Sequence, residues 1–410
     1  MSRVLIIGAG GVGRVAAFSC VRQGGKFEAV CLASRTIEKC RRIQKAVGTG
    51  LAVDVVNANR VEEVAKLIRK RRADIVINGA LPYQNLPIME ACLAAGAHYI
   101  DTAVPEIPAA TWYDPDDMFW YGLQWEFHDR FLEKGLTGVL GIGSDPGLVN
   151  VFCSYAAKHL FDEIRTIDIM DVNAGEHGYP FATNFNPEIN LREVQNPVRY
   201  WEHGEWRRVA PLSVSMDFSF PEVGKRRLYL MDHDEIHSLY RNFPDVEYIK
   251  FWMGFTPQYI SYFEILKNIG MLSVDPVEVV LTDGSTAKVV PLKLLKALLP
   301  DPASLGKRYT GKICLGCLIG GKKGGQERRI FIYTLCSHWA AYQQTGTQAI
   351  SYAAGVPPVV AALLMAEGKW LQPGIYNAEQ LDPDPFLERM EQLGLAWHVR
   401  EGGEATGGWE

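Results

Sequence analysis

The order of hydrophobic and polar residues divides the chain into two unlike parts. Over residues 1–150, short apolar runs alternate with longer stretches whose apolar residues recur at helical spacing. This alternation predicts strands of a parallel sheet joined by helices. From about residue 165, strand-like runs are separated by long polar turns, which predicts a largely antiparallel sheet with helices on one face. Residues 348–365 are apolar on nearly all sides and predict a buried helix.

These patterns predict an α/β protein with two domains. Residues 1–150 and 340–410 are assigned to a Rossmann (doubly wound) domain, because the apolar helix near the C-terminus is expected to pack back on the N-terminal part. Residues 151–339 are assigned to a central α+β domain with a mostly antiparallel sheet, which would bind substrate and form a dimer.

A glycine-rich turn follows the first predicted strand. The strand covers residues 3–7, and Gly8, Gly10 and Gly13 then give the spacing G-x-G-x-x-G before a helix. Glycine permits a tight turn, close approach of backbone N–H groups to a pyrophosphate, and close packing of helix on strand. Strand, turn and helix together predict a dinucleotide site that includes Gly11 and Val12.

The end of the second predicted strand, at residues 27–33, indicates which dinucleotide binds. NAD sites usually place an acid there, whereas NADP sites use a cation for the 2′-phosphate. This chain has Ser34, Arg35 and Thr36 at that point, which favours NADP(H). Asp54, in the third predicted strand at residues 51–55, either accepts from the adenine amino group or caps the following segment.

Further residues are predicted to reach the cofactor because ligands of doubly wound sheets lie beyond the carboxyl ends of the strands. Ala80, Leu81 and Pro82 follow one predicted strand, and Thr102 ends another. Asp145 precedes a proline, an arrangement that suits a helix N-cap.

The most unusual polar stretch covers residues 173–193. Its mixture of acids, amides, a histidine and an arginine suits a small zwitterionic substrate, although a polar surface loop is the alternative. We predict Glu176, His177 and Glu193 as candidates for proton transfer. The predicted substrate-binding residues are Asn184, Asn186, Glu188, Arg192, Arg199 and Trp201.

Other groupings carry weaker indications. The segment Asp232-His-Asp-Glu-Ile-His237 has two histidines at helical spacing, but a helix start with capping acids explains it, and no metal site is predicted. Cys314 and Cys317 would point to opposite faces of a strand. The aromatic segment 112–125 is interpreted as a loop over the site or as a partner surface.

Composition narrows the function classes. The 410 residues are 48% hydrophobic and 22% charged with a net charge of −5, which favours neither a nucleic-acid nor a membrane partner. No run approaches the ~20 apolar residues of a membrane span, and no leader is visible. The eight cysteines are expected to be reduced thiols, which predicts a cytoplasmic protein.

Longer motifs resemble the saccharopine dehydrogenase superfamily. They are the turn at 8–13, Ala33-Ser34-Arg35, GSDPGLVN at 143–150 and the helix with Gly355-Val-Pro. Within it the chain is most similar to the carboxynorspermidine (carboxyspermidine) dehydrogenase family, through FATNFNPEINLRE at 181–193, RYWEHGEW at 199–206 and TQAISY at 347–352.

The resemblance implies condensation of L-aspartate β-semialdehyde with 1,3-diaminopropane or putrescine, followed by reduction of the imine with NADPH. The product would be carboxynorspermidine or carboxyspermidine, a precursor in norspermidine or spermidine biosynthesis. The resemblance also implies a Rossmann domain completed by the C-terminal helices, and a homodimer formed through the central domain. The semialdehyde carboxylate is expected to meet Arg192 or Arg199.

Two alternatives stay open at this point. One is another reductive aminase of the superfamily, such as a saccharopine-forming enzyme that uses lysine and 2-oxoglutarate. The other is a non-catalytic NADP(H)-binding regulator.

Overall fold

The computed structural model describes residues 1–106 and 120–402. The strands are β1 Ser2–Ile7, β2 Phe27–Ser34, β3 Leu51–Val55, β4 Ile75–Asn78, β5 His98–Asp101, β6 Thr137–Leu140, β7 Glu163–Asn173, β8 Val198–Glu202, β9 Glu205–Val209, β10 Ser215–Phe220, β11 Gly224–Met231, β12 Tyr248–Gly254, β13 Val277–Val280, β14 Thr286–Val289, β15 Lys312–Lys323, β16 Gln326–Ser337, β17 Gly374–Asn377 and β18 Trp397–Glu401.

The α-helices alternate with these strands. They are α1 Gly11–Arg22, α2 Ile37–Val47, α3 Val61–Arg71, α4 Asn85–Ala95, α5 Gly122–Trp125, α6 His128–Glu133, α7 Leu148–Tyr155, α8 Pro187–Gln195, α9 Ile236–Asn242, α10 Pro257–Asn268, α11 Pro291–Leu298, α12 His338–Thr345, α13 Ala349–Gly355, α14 Pro357–Ala366 and α15 Pro383–Gln392.

The N-terminal part forms a seven-stranded parallel sheet in the order β17-β6-β5-β4-β1-β2-β3. Its central strands are buried on both faces: Val4 to Ile7 of β1 and all of β4 are buried. Helices therefore cover the sheet on both sides, as the continuous apolar runs require. The prediction of a doubly wound α/β domain is confirmed.

The central part forms a nine-stranded mixed sheet whose main path is β10-β11-β12-β7-β15-β16-β18, with β8 and β9 attached to β12. Among the described strands of this second sheet, only β12 and β7 pair in parallel, so the prediction of a mostly antiparallel sheet is confirmed. The long hairpin of β15 and β16 pairs Lys312 with Ser337 at one end and Lys323 with Gln326 at the other. Cys314 and Cys317 lie in different core clusters, on opposite faces of β15.

The C-terminal residues complete both sheets. Strand β17 pairs with β6 of the first sheet, whereas β18 pairs with β16 of the second. The assignment of all of residues 340–410 to the Rossmann domain is therefore corrected for the last described strand. Residues 403–410 lie outside the described range.

The apolar stretch predicted as one helix forms two, α13 and α14, because Pro357 begins a new helix. A Cβ on Gly355 would lie 2.6 Å from the Cβ of Val15 in α1, so α13 is held closely against the first helix of the Rossmann domain. The window Ala349–Ala366 is apolar and long enough to span a membrane by composition, but 83% of it is buried inside the protein, as in a core helix.

A buried amide joins the two sheets where the chain leaves the Rossmann domain. Asn150 of α7 accepts a hydrogen bond from Gly147 N at 2.8 Å and donates to Ser238 Oγ at 3.1 Å and to Glu379 Oε2 at 3.0 Å. Ser238 belongs to α9, and Glu379 belongs to the turn after β17. Asn150 is 2% exposed, so water cannot replace these partners easily.

The substitution Asn150→Ala should lower the free energy of unfolding by about 1–3 kcal/mol, because it leaves the Gly147 N–H and one oxygen of Glu379 without a partner. Urea unfolding measures the loss. The exposed Asn268→Ala is the matched control and should change the stability by less than about 0.5 kcal/mol. Equal stability of the two variants would contradict the prediction.

Candidate active site

A deep cleft lies between the two sheets and has a volume of about 1620 Å³. One wall comes from the glycine turn and the strand ends of the first sheet, and the other from residues 171–193 and the segments after β11 and β12. Helix α13 contributes Ile350 and Ser351 to the same cleft. The cleft therefore brings the predicted cofactor and substrate regions together.

The glycine turn has the geometry that a dinucleotide requires. Gly8 has a φ of +113°, and a Cβ there would overlap the carbonyl oxygen of Gly79; a Cβ on Gly13 would overlap that of Gly8. A Cβ on Gly11 would overlap Ser351 of α13, whereas a Cβ on Gly10 would meet nothing within 4 Å. The glycines therefore have different roles. Gly8, Gly11 and Gly13 permit close packing, whereas Gly10 leaves open space on the cleft side.

The start of α1 fits the pyrophosphate of NADP(H). The helix begins at Gly11, its N-cap is Gly10, and no side chain caps it. The first N–H groups of a helix have no intrahelical partner and attract anions. Since Gly10, Gly11 and Val12 line the cleft, these N–H groups are placed to bind phosphate.

The residues predicted to select NADP(H) lie at the edge of this region. Arg35 is exposed, and Ser34 forms a local turn in which its Oγ accepts from Thr36 N at 3.2 Å and donates to Thr36 O at 3.0 Å. None of Ser34, Arg35 and Thr36 is among the described residues that line the cleft. Two cations that the prediction did not include, Lys39 and Arg42 of α2, do line it. The signal for them was the basic composition of this helix.

Asp54 is corrected. Its carboxylate pairs with Lys70 at 2.9 Å and with Arg71 at 2.6 Å, both at the end of α3. It does not line the cleft among the described residues, and it caps no helix. These ion pairs hold α3 against β3, so neither of the two predicted roles describes Asp54.

The strand ends of the first sheet reach the cleft as predicted: Ala80, Leu81, Pro82, Thr102 and Asp145 all line it. Asp145 is not a helix cap, however, because α7 begins later, at Leu148, with Gly147 as its N-cap. Its carboxylate accepts from Ser144 Oγ at 2.7 Å, and burial raises its pKa to about 6.

Among the predicted substrate residues, Glu176, His177, Asn184, Asn186, Glu193 and Arg199 line the cleft. A network behind the wall holds Asn184. Its Oδ1 accepts from Tyr309 Oη at 2.5 Å, Tyr309 Oη accepts from Asn173 Nδ2 at 2.5 Å, and Asn173 Oδ1 lies 2.9 Å from His338 Nε2. The Asn184 carbonyl also accepts from Gln348 Nε2 at 2.7 Å. The C-terminal motif at 347–352 therefore positions the loop at 173–186.

The residues of the loop at 173–186 make different contacts. Asn186 caps α8 by accepting from Glu188 N at 3.0 Å. Burial lowers the pKa of His177, which lies edge-on to Tyr309 at 5.5 Å between ring centroids. Glu176 is exposed and bridges to Thr310 through its backbone.

Three other predicted substrate residues are corrected, since they do not line the cleft among the described residues. Glu188 pairs with Lys296 at 3.0 Å. Trp201 packs against Trp206 and Tyr240 behind the wall. Arg192 joins the two sheets.

Arg192 binds Glu106 at 2.8 Å and Tyr83 Oη at 2.8 Å. The side chains of Arg192 and Glu106 are only 9% and 8% exposed, so the pair is shielded from solvent. Arg192 therefore ties the substrate wall to the Rossmann wall. Arg199 is also paired, but it lines the cleft, whereas Arg192 does not among the described residues, so Arg199 is the candidate for a substrate carboxylate. Arg199 pairs with Asp232 at 2.9 Å and lies over the rings of Trp120 and Trp206.

Glu193 has the environment of a proton-transfer group. It lies on α8 and lines the cleft, and its Oε2 is buried with no hydrogen-bond partner in the described ranges 1–106 and 120–402. Burial raises the pKa of Glu193 to about 8. A carboxyl group with a pKa near neutrality can both accept and donate a proton at physiological pH.

Further acids in the cleft were not predicted as site residues. Asp171 of β7 and Asp234 after β11 both line it, and burial raises the pKa of Asp234 to about 7 and that of Asp171 well above its usual value. Asp234 also accepts from Val104 N at 2.9 Å, across the cleft. With Asp145 and Glu193, four carboxyl groups therefore face one space, which suits a ligand with several positive charges.

The segment Asp232–His237 does not form the helix cap that was expected. Helix α9 begins at Ile236, and its N-cap Glu235 makes no capping hydrogen bond. Asp232 holds Arg199 and His237, whereas His233 lines the cleft. His237 stacks on Trp120 with ring centroids 4.0 Å apart.

Among the described residues of the aromatic segment 112–125, Trp120, Gly122 and Leu123 line the cleft. Residues 112–119 of that segment, on which the expectation of a loop over the site or a partner surface also rests, lie outside the described residues.

Comparisons with known proteins agree with this geometry. Residues 4–139 match the family model of the saccharopine dehydrogenase NADP binding domain, and residues 143–395 match that of the saccharopine dehydrogenase C-terminal domain. The chain is 46% identical to the carboxynorspermidine synthase of Vibrio alginolyticus and 45% identical to the carboxyaminopropylagmatine dehydrogenase of Synechocystis, each over 97% of both chains.

The fold matches a solved structure of apo saccharopine dehydrogenase (L-Glu forming) from Saccharomyces cerevisiae. The TM-score is 0.73, with 13% identity over 98% of this chain and 100% of the other. At this identity the match describes the fold alone.

The substitution Gly10→Ala should weaken NADPH binding about tenfold or more, equivalent to ~1.4 kcal/mol, and leave the melting temperature unchanged. Its methyl group would enter the open space that the pyrophosphate needs. Gly13→Ala is the matched comparison and should lower stability by about 1–3 kcal/mol, because its methyl group overlaps the Gly8 backbone. Fluorescence titration and thermal melting separate the two effects. Unchanged NADPH affinity in Gly10→Ala would contradict the assignment.

Proposed function

The chain is an NADP-dependent oxidoreductase of the saccharopine dehydrogenase family, and on that basis we propose that it joins L-aspartate β-semialdehyde to a diamine by reductive condensation. The diamine is 1,3-diaminopropane or putrescine, and the product is carboxynorspermidine or carboxyspermidine. The cytoplasmic location predicted from the cysteines and the homodimer implied by the resemblance both remain predictions.

The observation that carries this proposal is that four carboxyl groups with raised pKa values share one cleft with the glycine turn. Asp145, Asp171, Glu193 and Asp234 line the cleft that also contains Gly10 and Gly11. Acidic groups stabilise a diamine that carries two positive charges, and a diamine that enters lowers their pKa values in return. Arg199, on the same wall, can bind the carboxylate of the semialdehyde.

The name of the Synechocystis relative indicates a further amine of the same class. Carboxyaminopropylagmatine contains agmatine, which is a primary amine with a guanidinium group at its far end. Agmatine also carries two positive charges, and the acidic cleft suits it equally. The reacting end is a primary amine in all three candidates.

The reaction transfers protons from nitrogen to oxygen. An ammonium group must lose a proton before its nitrogen can attack the aldehyde carbon, and the resulting carbinolamine loses its hydroxyl group as water. We propose that Glu193 is the base that accepts the proton of the ammonium group. A base with a pKa of about 8 removes this proton more readily than an ordinary carboxylate does.

NADPH, held at Gly10, Gly11 and Val12, would supply the hydride that reduces the iminium carbon. The chain holds the reactants together: Ala80, Leu81 and Thr102 form the cleft wall at the strand ends, opposite Glu193 on α8. The ion pair of Arg192 with Glu106 joins these walls, and both of its side chains are shielded from solvent. Exclusion of water opposes hydrolysis of the iminium ion.

The saccharopine-forming alternative fits the cleft less well. Lysine and 2-oxoglutarate bring three carboxylates, which would have to lie beside four acidic groups. A non-catalytic regulator would not need a buried carboxyl group with a raised pKa, such as that of Glu193.

The first experiment measures NADPH oxidation with L-aspartate β-semialdehyde and one amine: 1,3-diaminopropane, putrescine or agmatine. We expect rapid, amine-dependent loss of NADPH absorbance with at least one of them, and the ratios of kcat/KM identify the preferred amine. Activity with only lysine and 2-oxoglutarate would move the protein to the saccharopine-forming group. Binding of NADPH without oxidation in any mixture would support the regulator.

Glu193→Gln should lower kcat/KM for the amine by about 10²–10⁴, the usual contribution of a general base. In the unmodified protein kcat/KM should rise with pH through about 8, because the base must be ionised and burial raises its pKa to that value. The variant should lose this break and keep only the slope from the ionisation of the amine. Glu264→Gln, on the exposed face of α10, is the control and should keep the normal profile. A break near pH 8 in Glu193→Gln would contradict the assignment.

A further inference from the structure

His233 is a cleft residue that neither the predicted site nor the mechanism above uses. It follows β11, lines the cleft, and is 9% exposed. Its ring stacks on Phe251 of β12 with centroids 4.0 Å apart and an angle of 12° between the planes. The imidazole is therefore fixed in one orientation by a fully buried aromatic ring.

Glu235 fixes a second property of this ring, its protonation at Nδ1. Glu235 Oε2 lies 2.5 Å from His233 Nδ1, and Glu235 is completely buried. A carboxylate at Nδ1 keeps a proton there and leaves Nε2 for the reactants, as in other carboxylate–histidine pairs.

The second oxygen of Glu235 supports a functional reason for this pair. Glu235 Oε1 is buried and has no hydrogen-bond partner among the described residues. Such an atom costs free energy, and a protein that used Glu235 only for stability would be expected to satisfy it. The other carboxylate oxygen, Oε2, is bound to the histidine that lines the cleft.

The groups around His233 favour its protonated form. Burial by itself lowers its pKa, but Glu235, Asp145 and Asp234 overcome this effect and raise the pKa well above its usual value. Asp171 and Glu193 face the same space and are influenced by the charge of His233. The ring is thus an imidazolium ion among carboxyl groups before the substrates react.

We propose that His233, positioned by Glu235, is the general acid that protonates the hydroxyl group of the carbinolamine so that it leaves as water. This inference rests on the proposed function. Glu193 then accepts a proton from nitrogen, and His233 donates a proton to oxygen.

The step balances as follows for an amine R–NH₃⁺ and an aldehyde R′–CHO. Glu193 takes one proton from the ammonium group, nitrogen attacks the carbonyl carbon, and a second proton passes from nitrogen to the oxygen atom to give R–NH–CH(OH)–R′. His233 Nε2 donates a proton to this hydroxyl group, the C–O bond breaks, and the nitrogen lone pair forms the C=N bond of R–NH⁺=CH–R′. Glu193 returns its proton to neutral His233 through the cleft, so both groups regain their initial states.

The test compares His233→Gln and Glu235→Gln with the unmodified protein in the amine-dependent oxidation of NADPH. We expect kcat to fall about 10²–10⁴-fold in His233→Gln. We also expect the kinetic isotope effect with NADPH deuterated at the transferred hydrogen to fall towards 1, because dehydration before hydride transfer becomes rate-limiting. Glu235→Gln should show a smaller loss of the same kind. His159→Gln, an exposed histidine paired with Asp384, is the control and should match the unmodified protein.

A further variant keeps the test valid if the glutamine side chain disturbs the wall. His233→Gly opens a space beside Phe251, and added imidazole should restore part of its kcat. Loss of activity with an unchanged or larger isotope effect and no rescue by imidazole would overturn the proposal. So would normal kcat in His233→Gln. These outcomes differ from failure of the proposed function, in which the unmodified protein itself is inactive with every amine.

Discussion

The placement of several carboxyl groups in one partly buried space is the constraint on which the rest of the structure depends. Asp145 follows β6, Asp171 lies in β7, and Asp234 follows β11, so both sheets deliver acids to the same point. Removing ionised carboxylates from water is costly unless they are paired or protonated. The protein meets this cost in two ways: the pKa values of Asp145 and Asp234 are raised, and His233 supplies a positive charge as an imidazolium ion. A dicationic amine can meet it in their place, and its binding then releases protons from the site.

Such a site requires that the two walls hold their positions. An ion pair, hydrogen bonds and a stacked pair of rings connect them. Arg192 reaches Glu106 and Tyr83, Val104 N donates to Asp234, and Trp120 stacks on His237. Each contact joins a residue of the N-terminal part of the chain to one of the central part. Because Val104 and Trp120 also line the cleft, these contacts both support the walls and bound the cleft.

Local sequence was sufficient where one segment determines the geometry. The spacing of Gly8, Gly10 and Gly13 predicts the turn, and the strand ends at Ala80 and Thr102 follow from the parallel sheet. Sequence was insufficient where partners lie far apart. Arg192 is suited to a substrate carboxylate by its chemistry, and only its pairing with Glu106, 86 positions away, shows that it is already bound. Likewise, the pattern at 232–237 fits a helix cap as well as it fits a catalytic histidine with its carboxylate. What separates these readings is the cleft on one side of His233, which depends on the docking of two sheets.

The same reasoning indicates where substrate choice is made. The candidate amines share a primary amine at the reacting end and differ in length or in the group at the far end. Glu193 and the strand ends around Thr102 therefore meet the same atoms in every case, and they offer no basis for discrimination. One methylene group is worth only about 1–3 kcal/mol, whereas a guanidinium group needs a planar pair of acceptors that an ammonium group does not. Discrimination between agmatine and the diamines, in either direction, should thus be stronger than that between the two diamines, and it should depend on how the carboxylates at the far end of the bound amine are oriented towards each other. An acidic cleft of one composition can in this way serve relatives with different amines, through changes that leave the reacting end intact.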